Sequence, residues 1–464
     1  MVNTVPSVVI AAPASGSGKT TVATGLIGAL RAAGDRVAPF KVGPDYIDPG
    51  YHGLAAGRVG RNLDPVLVGA DRIGPLYRHG SAGCDIAVVE GVMGLFDGKI
   101  DETMPDGGAE GSTAQVAGLL GAPVVLVVDA RGHSQSLAAV LHGFATFDSA
   151  VRIGGVILNR VGSERHEQVL RQACDRVGVP VLGVVPRLAE LAVPSRHLGL
   201  ITAVEHGRAA TDAVDAMTAL IAQHVDLAAV RALARSSVDA PVWNAADEVG
   251  ASDDSGPAPV VALAGGSAFT FGYAEHRELL EAAGARVRTF DPAADQLPDD
   301  AAALVLPGGF PEEHAPDLAA NVALLTTVRE LARRGMPIHA ECAGLLYLAR
   351  RLDGHPMAGV IGVDAEFGRA LTLGYREAVA LGESVLFEQG ERVVGHEFHR
   401  TRLESASVDG WAPAWGWRAA GASAREGFAG GGVHASYLHT HPAGNPASVR
   451  RFVSAARVFE AANG

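Results

Sequence analysis

Ser7-Val8-Val9-Ile10-Ala11-Ala12-Pro13-Ala14-Ser15-Gly16-Ser17-Gly18-Lys19-Thr20-Thr21 begins as a continuous apolar run and ends in small residues, glycines and a lysine. The run fits a strand buried on both faces, and Val22 to Ala33 continues with good helix formers. Strand, glycine-rich turn and helix, in that order, are the context a phosphate-binding loop requires. The turn's N–H groups, from Ser15, Gly16, Ser17, Gly18, Lys19, Thr20 and Thr21, would cradle phosphates. Lys19 would reach the β and γ oxygens, and Thr20 would ligate Mg²⁺. Pro13 stands where the strict pattern has glycine, so the match is to a relaxed form.

Working outward, five further strand patterns follow: Val37–Val42, Asp85–Glu90, Ala122–Asp129, Ile153–Asn159 and Pro180–Pro186. Their spacing suits βαβ units, and their unbroken apolarity predicts a doubly wound, mostly parallel sheet covered on both faces. In such sheets function collects at the carboxyl ends of the strands. Those ends read Lys41-Val42-Gly43-Pro44-Asp45-Tyr46-Ile47-Asp48-Pro49 and Glu90-Gly91-Val92-Met93-Gly94-Leu95-Phe96-Asp97-Gly98. Glu90 is placed to hold Mg²⁺ opposite Thr20, since that ion takes a few hard oxygens besides phosphate and water. Asp45 and Asp48, bracketed by two prolines, suit metal and substrate positioning better than a solvated loop. Lys41, Arg58 and Arg61 are the cations available for an anionic ligand. Asp129 fits either nucleotide contact or capping of the next helix.

Residues 188–238 alternate Ala/Leu-rich helix with short loops, and Asp247–Pro257 is acidic, small and polar. The resulting division is an ATP-binding domain over 1–240, a linker over 241–258 and a second α/β domain over 259–464. In that second domain Ala303–Leu306 is a strand ending in Pro307-Gly308-Gly309, whose turn N–H groups suit an oxyanion hole. Met336–Ala340 leads into Glu341-Cys342-Ala343-Gly344, with a helix expected over Leu345–Leu352. A cysteine at a strand-to-helix corner has the geometry of a nucleophile elbow. Near the C-terminus Ala435-Ser436-Tyr437-Leu438 runs directly into His439, which is therefore preferred over His434 and His441 as the base for Cys342. His396-Glu397-Phe398-His399 lacks the spacing of a helical metal motif and reads as a substrate-facing or interdomain strand.

Composition sets the limits. The 464 residues are 48% hydrophobic and 19% charged, with a net charge of −13. General affinity for nucleic acid or anionic membranes is thereby disfavoured. Three cysteines, no basic leader and no long apolar run predict a cytoplasmic chain without a disulfide framework.

With these motifs in series, the second half resembles class I glutamine amidotransferase domains in the variant found in corrinoid amidases. The first half resembles dethiobiotin-synthetase-like ATPases. In this order the halves are similar to the cobyrinate/hydrogenobyrinate a,c-diamide synthase family of corrinoid glutamine amidotransferases. The resemblance implies amidation of the a and c acetates of a corrin, with ATP and L-glutamine as co-substrates and Mg²⁺ as cofactor. It implies Cys342 as nucleophile, His439 as its base and Gly308 and Gly309 as oxyanion donors. ATP would sit on Ser15–Thr21, with Thr20, Asp45 and Glu90 for the metal. Lys41, Asp45, Asp48 and Asp97 would position the substrate and incoming ammonia. The partner implied is a small corrinoid, with neither nucleic acid nor membrane, and a homodimer is the assembly expected. Many class I amidotransferases carry Glu two residues after the histidine. Here that position is His441, so a Cys–His dyad is the working expectation. Two alternatives stay open: cobyric acid synthase-like amidation of other side chains, and a partitioning-type P-loop ATPase switch.

Overall fold

The computed structural model describes residues 4–99, 109–187, 195–196, 199–200, 202–250, 256–419 and 422–463. The chain forms two compact units, Met1–Trp243 and Asn244–Gly464.

The first unit is built on a seven-stranded sheet. Its strands in chain order are β1 (Ser7–Ala11), β2 (Val37–Val42), β3 (Arg61–Leu63), β4 (Ile86–Glu90), β5 (Val124–Asp129), β6 (Ile153–Val161) and β7 (Val181–Pro186). Their order across the sheet is β3-β2-β4-β1-β5-β6-β7, and every pairing is parallel. The buried β1, β2 and β4 match the apolar runs that predicted them. β1 lies centrally, between β4 and β5, where the strand order reverses and ligand crevices form. Helix α1 (Lys19–Ala32) begins directly after the glycine-rich loop, and α2 (Asp48–Ala56) follows the β2 loop. The three-residue β3 carries too little pattern to be read from sequence.

Within the stretch expected as a linker, Ala245–Val249 is a helix whose first turn is capped by the Asn244 side chain, which accepts from the Ala246 N–H. It packs on the terminal helix Pro446–Asn463, where Val249 is buried and its carbonyl accepts from Arg450 at 3.4 Å. The acidic composition that suggested a linker belongs partly to a docked helix. Residues 251–255 lie outside the described residues.

The second unit has a six-stranded sheet in the order Arg286–Phe290, Val260–Ala264, Ala301–Leu306, Ile338–Glu341, Val433–Ser436, Phe428–Gly430. All neighbours are parallel except the last pair. The helix after Cys342 spans Ala343–Leu348, shorter than the expected Leu345–Leu352. Arg351–Leu352 instead pairs antiparallel with His355–Pro356 across Asp353-Gly354. Both turn residues have positive φ (50° and 80°), the two-residue hairpin geometry that an Asp-Gly pair favours. A separate sheet carries the long antiparallel pair Asp364–Ala380 and Arg392–Leu403, the latter pairing in turn with His439–Thr440.

Candidate functional site

The first unit's site forms where β1, β2 and β4 end. Gly18 has φ of 93°, and a Cβ there would overlap the Asn159 amide, so both conformation and space require glycine. That amide donates to the Ser17 carbonyl (2.9 Å), and Arg160 donates to Gly16 O (2.8 Å), so the end of β6 braces the loop. Ser15, Gly16, Gly18, Lys19, Thr20 and Thr21 line one cavity with Lys41, Asp45, Glu90, Met93 and Arg160. Ser17 is buried and turns its hydroxyl back onto Ala14 O.

Beside this cavity is a buried charge cluster. Lys41 Nζ lies 2.6 Å from Asp48 Oδ2 and 3.0 Å from Glu90 Oε1. Thr20 donates to Glu90 (2.7 Å) and stands 3.3 Å from Asp48, while His52 Nε2 is 2.7 Å from the other Glu90 oxygen. Burial opposes the charge on Lys41, but Asp48 and Glu90 outweigh it and hold its pKa above the usual value. Burial and then Asp45 push Asp48 up to about 6 against the pull of Lys41. Burial raises Glu90 as well, yet Lys41 and His52 keep it below the carboxylate range. For Lys19, burial and then Lys41 lower the pKa; its ammonium donates to the Met93 carbonyl.

Among the residues expected here, Asp48 rather than Asp45 stands against Thr20 and Glu90. One Asp45 oxygen accepts the N–H groups of Ile47 and Asp48 and so closes the turn that leads into α2. Asp97 accepts the Gly94 N–H (2.8 Å) and shapes its own loop. Asp129 does not cap the next helix, whose N-cap is Ser136; it is held by Arg131 and by Arg160, which lines the cavity. Arg58 and Arg61 do not line this cavity: Arg58 binds Cys84 and the Gly80 carbonyl, and the Arg61 side chain lies against Gly80. Three residues went unassigned. His52 follows Asp48 by four positions, the helical spacing that puts both on one face of α2. Asn159 and Arg160 close β6, at the strand end where ligand-facing groups collect.

Among the described residues no three His, Cys, Asp or Glu side chains are arranged as a metal cage. The Thr20 hydroxyl with the Asp48 and Glu90 carboxylates, next to the phosphate loop, is still a hard-oxygen set that fits Mg²⁺ sharing its shell with phosphates.

In the second unit Cys342 has φ of 49° and ψ of −96°, held by its N–H donating to Ser436 O at 2.7 Å. A β-carbon residue in this region is strained, and the strain presents the sulfur at a strand-to-helix corner. Cys342 is 3% exposed, and the N–H groups of Gly309 and Ala343 point at its sulfur. Burial and then the Glu312 charge push the thiol above its ordinary pKa. The resting group is therefore a thiol awaiting a base. The Gly309 N–H is thus at the sulfur, on the turn expected to supply the oxyanion donors. Gly308 has a different neighbour: a Cβ on it would stand 3.1 Å from His439 Nδ1 and nearer still to Cε1. Gly308→Ala is expected to displace the imidazole and lower glutaminase kcat by about 10²-fold, measured as glutamate release, because misplacing a base by about 1 Å costs that much.

His439 is fully buried and opens the strand His439–Thr440, in register with His396. The expected strand Ala435–Leu438 ends at Ser436, and the chain then crosses to the other sheet. That crossing is pinned by Glu426, which accepts from Ser436 Oγ (2.5 Å) and Tyr437 N (2.8 Å). Tyr437 stacks on His399 at 3.8 Å, so the His396–His399 segment supports the base-bearing turn. Glu341, immediately before the cysteine, places Oε2 3.8 Å from His439 Nδ1.

Residues 8–201 match the CobQ/CobB/MinD/ParA nucleotide binding domain, and residues 260–447 match the CobB/CobQ-like glutamine amidotransferase domain. The chain is 63% identical over 453 residues to the hydrogenobyrinate a,c-diamide synthase of Mycobacterium tuberculosis (strain ATCC 25618 / H37Rv), covering 97% of this chain and 98% of that protein. Identity to the Streptomyces coelicolor protein of the same name is 55%, with 98% of each chain covered. The cobyrinate a,c-diamide synthase of Gloeobacter violaceus is 41% identical, with 96% of each covered. The two domain matches, in the order of the two sites, and this near full-length identity put the chain in the a,c-diamide synthase family.

Proposed function

We propose that this protein is a glutamine-hydrolysing carbon–nitrogen ligase that converts the a and c acetates of hydrogenobyrinic acid to amides, with ATP and glutamine, in cobalamin biosynthesis. The observation that carries the reading is the pairing, on one chain, of a phosphate loop beside the Thr20–Asp48–Glu90 oxygens with a Cys342 elbow facing the Gly309 and Ala343 N–H groups. The relatives at 50% identity or more named above support the cobalt-free substrate, by their names. A partitioning-type switch leaves the second site without a task.

Chemically, His439 takes the Cys342 proton and the sulfur attacks the glutamine carboxamide. The tetrahedral oxyanion is met by Gly309 N–H and its turn, and ammonia leaves with a proton returned by His439. Water then hydrolyses the glutamyl thioester to glutamate. In the first unit the loop amides and Lys19 bind the ATP phosphates, and Thr20, Glu90 and Asp48 (with Asp45 alongside) would hold Mg²⁺. Bound there, the ion would neutralise negative charge on the phosphates. A substrate acetate attacks the γ-phosphorus and ADP leaves; ammonia then displaces phosphate from the acyl phosphate to give the amide. Lys41 stays protonated and keeps the Asp48 and Glu90 oxygens together.

The test is mass spectrometry of hydrogenobyrinic and cobyrinic acids after incubation with the protein, Mg-ATP and glutamine. Two amide groups gained on hydrogenobyrinic acid, dependent on both ATP and glutamine, is the expected result. Amidation of cobyrinic acid alone would overturn the cobalt-free assignment. No mass change on either, with glutaminase intact, would overturn the a,c reading.

A further inference from the structure

Glu341 ends the strand Ile338–Glu341, its side chain only 13% exposed, and its two oxygens do different things. Oε1 accepts the Thr440 N–H (3.1 Å) and the Thr440 hydroxyl (2.9 Å), and lies 3.2 Å from His339 Nε2. Oε2 is left facing the His439 ring, 3.8 Å from Nδ1. Thr440 follows His439 directly, so the carboxylate is fastened to the backbone that carries the base. His441, two residues past the base, is turned elsewhere: its Nδ1 accepts from Ala443 N, its ring packs at a tilt against Tyr273 with centroids 4.0 Å apart, and Nε2 is 4.0 Å from Glu275. Burial would neutralise Glu341, yet the bond to His339 and the nearby His439 ring hold its carboxyl well below the usual range. Behind His339 stands His276, ring to ring at 5.4 Å and kept neutral by burial.

We propose that Glu341 is the positioning carboxylate of the glutaminase site, orienting His439 through Nδ1 so that Nε2 is directed at Cys342. The inference rests on the reading of Cys342 and His439 given above. Its chemistry is that of any triad: a carboxylate on one imidazole nitrogen fixes tautomer and ring direction, and stabilises the imidazolium formed when the thiol is deprotonated. A carboxylate–imidazole separation of 3.8 Å is loose, and such contacts close when substrate binds. The acid thus comes from the nucleophile's own strand, which leaves the residue two after the histidine free to be another histidine.

Glu341→Gln keeps an oxygen for Thr440 and removes the charge. In the full chain it is expected to lower glutaminase kcat by about 10²-fold with little change in KM. Ammonia-supported amidation and the unfolding midpoint should stay at the wild-type level, and Glu341→Asp, which restores the charge one methylene short, should recover part of kcat. A kcat within about threefold of wild type in the Gln variant overturns the proposal. So does equal loss of both activities with a lowered midpoint in both variants, since that is a merely structural role. If Glu341→Gln does not fold, Glu341→Asp decides alone: reduced kcat with a retained midpoint supports the role, and unchanged kcat overturns it. Cys342→Ala is run in parallel. Retained glutaminase there overturns the site reading itself, whereas a dead Cys342→Ala beside an unimpaired Glu341→Gln overturns only the present inference.

Discussion

Cys342→Ala is expected to remove glutamine-supported amidation by at least about 10⁴-fold, while ammonia-supported amidation proceeds at the wild-type rate. The thiol is the only group at its corner that can form a thioester, and alanine fits the same backbone space. The strained φ of 49° costs alanine no more than it costs cysteine, and the Cys342 N–H still reaches Ser436 O, so the elbow survives the change. Nothing in the first unit's cluster of Lys19, Thr20, Lys41, Asp48 and Glu90 depends on this sulfur. The measurement is paired: glutamate release and corrinoid amide formation, each with glutamine and then with ammonium chloride. If ammonia-supported synthesis vanished in a folded variant, the division of labour between the units would be wrong.

Glu90→Ala has the opposite signature: synthesis falls by about 10²–10³-fold with either nitrogen donor, and glutaminase turnover persists. Glu90 accepts the Thr20 hydroxyl, balances Lys41 and sits against His52. Its loss deprives the phosphate site of a hard oxygen and leaves a buried ammonium with one fewer counter-charge. Breaking a buried pair in this way costs about 3–5 kcal/mol when no other partner remains. Here Asp48, 2.6 Å from Lys41, keeps the cost toward the lower end. Thermal unfolding therefore has to be followed beside activity. Glu90→Gln, which preserves shape and the Thr20 contact, separates the loss of a metal oxygen from the loss of packing. Equal synthesis rates in wild type and both variants would remove Glu90 from the ATP-dependent step.

The parts legible in the sequence were those whose signal is local. Apolar runs ending in glycine gave the parallel strands, and the Gly-rich turn before Lys19 gave the phosphate loop. Small residues around Cys342 gave the elbow. The second unit's antiparallel sheet was hidden because its long strand Asp364–Ala380 is largely exposed and carries no clean alternation. The shortened helix after Cys342 could have been read from Asp353-Gly354, a hairpin signal overlooked beside a helix-forming run. Asp45 and Asp48 were indistinguishable as two acids in one loop. Only the start of α2 separates them, binding one into the turn before the helix and sending the other toward Lys41. Glu341 carried no mark of its role, since its partner His439 is nearly a hundred residues away and the two meet only through the crossing after Ser436.

Glu341 and Cys342 are consecutive on the chain, so one strand end delivers both an acid and a thiol, each to its own side. Because side chains alternate along a strand, inserting or deleting a single residue between Ile338 and Glu341 would turn the carboxylate to the other face of the sheet and shift the Cys342 corner out of register, disabling the site at two points at once. The spacing within this segment is therefore as much a functional determinant as the residues in it. Conversely, a graft of the short stretch from Ile338 to Gly344 would carry acid, thiol and corner together as a single cassette.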